Sequence, residues 1–120
     1  MHTTPGVVDS HVNTATTGTL DITVIEARLT RDTEIFGKMD PYCIITTRQQ
    51  NFKTAVKNGA GLTPTWNETF QIDVKYVGDD LHVEVHDEDL GSDDMVGVCS
   101  FKLSALCING GLDEWFPIAY

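Results

Sequence analysis

The run Leu81-His82-Val83-Glu84-Val85-His86 is apolar at every second position, and the same period of two runs through Leu20–Ala27 and from Trp66 through Phe70, Ile72 and Val74. Successive side chains on a strand point to opposite faces. The pattern therefore suits a sheet with one buried face and rules out an amphipathic helix, whose period is about 3.6. Tyr42–Thr47, Phe52–Val56, Val96–Leu103 and Trp115–Ile118 add short runs rich in β-branched and aromatic residues. A helical turn is expected around Ser104–Cys107. Seven short strands between turn residues, with no long amphipathic helix, predict an all-β sandwich.

The 120 residues form one domain, large enough to bury a core without disulfide staples. Residues 1–18 lack apolar periodicity and read as a flexible arm or a cloning remnant, leaving 19–120 as the folded domain. No apolar run approaches the ~20 residues that span a bilayer, and the N-terminus lacks the basic-then-apolar pattern of a secretory signal. Cys43, Cys99 and Cys107 are odd in number, and free thiols in a reducing, cytoplasmic compartment account for them. The acceptor triplet at Asn67 then carries no meaning.

The formal net charge of −10 argues against nucleic acid and against simple attraction to anionic lipid. The charge is also uneven. Asp32, Glu34, Asp40, Asp87, Glu88, Asp89, Asp93 and Asp94 are eight of the 18 acids, and they fall in two loops. Neighbouring carboxylates repel by about 3 kcal/mol per pair at ~5 Å, so such clusters call for a cation. If consecutive strands run antiparallel, the first (28–41), third (57–65) and fifth (87–95) loops emerge at one end. Glu34, Asp40, Asp87, Asp89 and Asp93 or Asp94 then converge on one rim.

Carboxylates without Cys or His partners suit a hard, oxygen-seeking cation, and calcium accepts six to eight oxygens at irregular angles better than magnesium does. An EF-hand is excluded, because Ser92 and Val98 stand where that loop needs Gly and Glu and strands flank the loop. His82 and His86 share a strand face without a third ligand at zinc spacing and read as solvent-facing. Catalysis is disfavoured. A compact sandwich offers no sugar-sized cleft between paired carboxylates, and the chain has no Gly-rich phosphate loop and no Ser-His-Asp or Cys-His pattern.

Leu20-x-Ile22-x-Val24-x-x-Ala27, Gly37-Lys38-Met39-Asp40-Pro41-Tyr42, Pro64-x-Trp66-Asn67-Glu68, and Asp87-x-Asp89 with Asp93-Asp94-x-Val96-Gly97 together resemble the C2 domain family, over roughly residues 20–118. The nearest resemblance is to small plant and protist C2 domains. It implies an eight-stranded antiparallel β-sandwich with Greek-key connections and type II topology. It also implies two or three calcium ions held by three loops, and docking on an anionic, phosphatidylserine-like phospholipid membrane. The family role is peripheral, calcium-triggered targeting in signalling or trafficking.

By position, the resemblance implies metal ligands at Glu34, the Met39 carbonyl, Asp40, Asp87 and Asp89, with Asp93 or Asp94. Glu34 stands where the family usually has Asp, and Asp32 is the alternative there. Ile35, Phe36 and Leu90 at loop tips, with Lys38 and Lys57 beside the rim, are the implied membrane contacts. Phe36 has a second reading as a plug folded into the core. Ile44 and Ile45 stand where the family often has lysine, so the phosphoinositide-binding strand patch is not expected. Pro41, Tyr42, Trp66, Asn67, Glu68 and Gly97 read as structural. A calcium-independent protein-interaction module is the alternative function. Seven strands are visible where the family has eight. Either the arm, over Val8–Thr14, supplies the missing one or it lies downstream in a longer protein with an attached domain, which is the preferred expectation.

Overall fold

The computed structural model describes residues 2–5, 18–107 and 111–120. Its strands are β1 (His2–Pro5), β2 (Gly18–Glu26), β3 (Pro41–Thr46), β4 (Asn51–Lys53), β5 (Thr65–Val74), β6 (Asp80–Asp87), β7 (Asp94–Lys102) and β8 (Leu112–Asp113), with one helical turn, α1 (Leu103–Leu106), after β7. Two four-stranded sheets of order β5-β2-β1-β8 and β4-β3-β6-β7 face each other, with every pairing antiparallel. The protein is a β-sandwich. The period of two is its cause: Leu20, Ile22 and Val24 from one sheet meet Ile45, Leu81, Val83 and Val85 from the other, all buried in one core. On the outer face Thr23 and Thr69 share a hydroxyl hydrogen bond of 2.7 Å.

Three expectations are corrected here. The strand beside β2 comes from the N-terminal end, His2–Pro5, registered on Leu20–Thr23. Val8–Thr14 lies outside the described residues. The preferred expectation of a downstream eighth strand therefore gives way to an N-terminal strand that satisfies the backbone edge of β2. Trp115–Ile118 is not a strand. Pro117 has no N–H to offer, Phe116 packs edge-on to Phe101 at 4.7 Å, and only Ala119 pairs, exchanging two backbone bonds with Val98. Phe52–Val56 narrows to Asn51–Lys53, although the Thr54 N–H still donates to the Cys43 carbonyl and the Lys57 N–H to that of Pro41.

Two bulges shape the end of the sandwich that carries the acids. Opposite Val24–Glu26, β5 holds one residue too many, and Asn67 absorbs it at a φ of 52°. Opposite Val85–His86, β7 likewise carries an extra residue just before the pair Asp87–Asp94. Glu68 ties β5 to the segment after β4 of the opposite sheet by accepting the Ala55 N–H at 2.8 Å, and the Trp66 indole N–H donates to the Pro41 carbonyl. A Cβ on Gly97 would lie 2.9 Å from Ile118, so the close approach read from sequence is made by the C-terminal segment.

Candidate metal centre

Asp87 follows Leu81, Val83 and Val85 in the inward phase of β6, so the alternation that builds the core ends on a carboxylate. Asp87 is fully buried. A buried carboxylate is stable only when its oxygens are satisfied, and both are. The Asp40 backbone N–H donates to Oδ1 at 2.7 Å, and the Thr33 hydroxyl donates to Oδ2 at 2.8 Å. The Glu88 N–H donates in turn to the Asp40 carbonyl at 3.0 Å. The third loop joins through Gly59, whose N–H donates to Asp40 Oδ1 at 2.6 Å, and Gly61, whose N–H donates to the Met39 carbonyl at 3.0 Å. The first, third and fifth loops therefore meet at one end, as antiparallel order requires.

Carboxylate oxygens of Glu34, Asp87 and Asp89 lie within 4.8 Å of one another. Their mutual repulsion is visible in Glu34, pushed up to about 7 by a hydrogen bond shared with Asp87, then by loss of hydration and by the charges of Asp87, Asp89 and Asp40. Between its ordinary value and about pH 7, Glu34 therefore holds a proton for much of the time, which relieves part of the charge of the cluster. The donor set is all oxygen and comes from separate loops, which fits calcium.

The remaining candidates separate by hydrogen bonding. Asp93 is committed elsewhere: it accepts the Tyr42 hydroxyl and the Asp89 N–H, and these bonds hold its carboxyl below the usual range. Asp94 stands opposite Asp87 in the β6–β7 pairing. Asp32 accepts the Glu34 N–H at 3.0 Å, shaping the turn. The Met39 side chain is fully buried beneath the loop. Thr33, Gly59 and the Tyr42 hydroxyl belong to the assembly and were missed in the sequence. A threonine and a glycine in polar loops look like turn residues until their partners are known.

Ile35 and Phe36 are each 89% exposed and Leu90 fully so, which overturns the reading of Phe36 as a core plug. These side chains project from the first and fifth loops at the acidic end. The Lys38 stem lies against Gly61 of the third loop, and Lys57 is half-buried. His86 is not simply solvent-facing. It stacks on Tyr42 at 5.5 Å and hydrogen-bonds Glu84 at 2.9 Å, whereas His82 is exposed and meets Ser100. Burial pushes Cys43 up to about 12 and Cys99 up to about 11, so neither thiol is activated. No helix among the described residues is long and apolar enough to cross a membrane.

Comparison with known proteins agrees with this geometry. The family described as "C2 domain" matches residues 18–118. The 16 kDa phloem protein 2 of Arabidopsis thaliana is 36% identical over 104 residues, covering 86% of this chain and 69% of that protein. Extended synaptotagmin-1 of Homo sapiens is 40% identical over 83 residues, covering 68% of this chain and 7% of that protein. Among solved structures, the calcium-bound tandem C2 domains of extended synaptotagmin 2 match with a TM-score of 0.77 at 34% identity, over 84% of this chain and 40% of that one. The chain thus spans a small part of its synaptotagmin relatives and about two thirds of the phloem protein. With the motifs, the sandwich and the family match in agreement, this chain belongs to the C2 domain family, a family of non-catalytic modules that bind lipid membranes.

Proposed function

We propose that this domain binds anionic, phosphatidylserine-like membranes when calcium is held at the acidic rim, and that it targets a cytoplasmic signalling or trafficking protein peripherally to such membranes. The observation that carries the reading is the convergence of Glu34, Asp87 and Asp89 within 4.8 Å. Asp40 and Asp94 complete the proposed ligand set with the Met39 carbonyl, and Asp93 braces the loop. Bound calcium supplies positive charge and open coordination positions for lipid phosphate or carboxylate oxygens.

The chain's own residues divide the work. Without the cation, the rim carboxylates repel an anionic surface. Asp87 joins the first and fifth loops, so Ile35, Phe36 and Leu90 are presented together beyond the rim. Each apolar side chain buried at the interface contributes about 1.5–3 kcal/mol. Lys38 and Lys57 contribute about 1 kcal/mol each if they reach lipid phosphates.

Co-sedimentation with phosphatidylserine vesicles, in calcium and in chelator, tests the reading. Pelleting that requires calcium and is lost in Asp87→Asn/Asp89→Asn is the expected result. Equal pelleting in both conditions, or none in either, would overturn it.

A further inference from the structure

β1 pairs with Leu20–Thr23 of β2, and the chain of β2 runs on through Val24–Glu26 toward the first loop. A cavity of about 350 Å³ is lined by Val24–Arg31 at the end of β2 and the start of the first loop and, across from them, by residues of the C-terminal segment. That volume lies at the lower end of the ~300–1,000 Å³ typical of ligand sites. Its deep wall is apolar, formed by Val24, Val85, Val96 and Trp66 from both sheets, and its outer wall by Phe116 and Ile118.

The mouth has different chemistry. Arg28 lies over the Trp115 ring at 4.6 Å, and Arg31 lies over the Tyr120 ring at 3.7 Å. Both arginines are exposed and both line the cavity. Neither makes an ion pair within the described residues; Arg31 has only a 3.3 Å bond to the Met95 carbonyl. In a chain of net charge −10, two guanidinium groups beside one apolar opening are a specific arrangement. Glu26 is the one acid of the lining, and it also borders a separate recess with Asp113 and Glu114.

We propose that this cavity binds a single-chain anionic lipid, with the acyl chain between the sheets and the carboxylate or phosphate head held by Arg28 and Arg31. The buried apolar side chains Val24, Val85, Val96 and Trp66 favour an acyl chain over a polar group on that side of the cavity. The volume excludes a two-chain lipid. Guanidinium pairs favour carboxylate and phosphate over a neutral head. The site uses none of the rim carboxylates, so it stands independently of calcium-dependent membrane docking.

Trp66 and Trp115 are the two tryptophans of the chain, and both line the cavity, so intrinsic fluorescence reports occupancy directly. The experiment titrates decanoate, below its micelle concentration and in chelator, with decanol as the neutral control. A saturable change in emission is expected. Cys99→Phe, which fills the cavity from β7, should abolish it. Arg28→Ala/Arg31→Ala, at exposed positions that leave the core intact, should weaken decanoate by about tenfold or more while decanol is unaffected. No saturable change, persistence in a folded Cys99→Phe protein, or equal weakening of decanol would overturn the proposal. Since no calcium is present, these results are separate from those of vesicle co-sedimentation.

Discussion

Asp40 and Asp87, one in each acidic loop, are joined directly: the Asp40 backbone N–H donates to Asp87 Oδ1 at 2.7 Å. A buried carboxylate thereby fixes two loops that are remote in sequence, before any cation is considered. The same side chain belongs to the cluster with Glu34 and Asp89, so loop geometry and the proposed metal site share one residue.

Asp87→Asn keeps the shape and an acceptor oxygen while removing the charge. It should leave the melting temperature in chelator unchanged or slightly raised, because repulsion with Glu34 is relieved. Wild-type protein should gain about 2.7 kcal/mol at calcium 100-fold above its dissociation constant. The variant should lose most of that gain, measured as the calcium-induced shift in thermal melting.

Stability without calcium should depend on pH through Glu34. Its folded carboxyl keeps a proton up to about pH 7, whereas the ordinary value is 4.5. Between those limits the folded state holds more protons than the unfolded state, so stability falls as pH rises through that window. Asp80 and Asp93 act in the opposite sense. Lys102 and the Tyr42 hydroxyl hold them below 3.8, and their contribution is lost only as pH falls below that value. Melting in chelator at about pH 5 and about pH 7.5 should show the decline, and Glu34→Gln should flatten it. A flat profile in the parent protein would refute this account.

Phe36→Ala and Ile35→Ala should weaken calcium-dependent vesicle binding by about tenfold or more each, since each removes an apolar side chain worth about 1.5–3 kcal/mol when buried. The calcium-induced melting shift should remain, because both side chains are exposed. Vesicle titration at high salt is the sharpest readout, since salt suppresses the electrostatic part.

Tyr42→Phe removes the hydroxyl that Asp93 accepts but keeps the ring stacked on His86. A measurable loss of stability is expected in urea unfolding, because a hydrogen bond to a charged group is removed. If stability is unchanged, Asp93 is braced by the Asp89 N–H alone.

Several parts of the site were legible from the chain. The period of two located the strands of the core, and antiparallel order placed the first, third and fifth loops together. The acids of two loops then pointed to one rim. The pairing of Tyr42 with Asp93 was not legible, because it joins the start of β3 to the loop before β7, residues far apart in the chain. Asp87 was a partial case. Its inward phase continues Leu81, Val83 and Val85, so its burial could have been read from the alternation.

By itself, then, the sequence determined what repeats locally. Alternating side chains make strands, turn residues separate them, and clustered carboxylates demand neutralisation. Tertiary structure alone decided which oxygens meet, that His2–Pro5 completes a sheet, and that Trp115–Ile118 packs by side chains and forms no strand. It also decided that Val24, Arg28 and Arg31 line one cavity with Trp115 and Tyr120. The physical reason is that strand period is a steric property of neighbouring residues. Contacts such as Thr33 with Asp87 and Gly59 with Asp40 depend on register and bulges set by the whole fold.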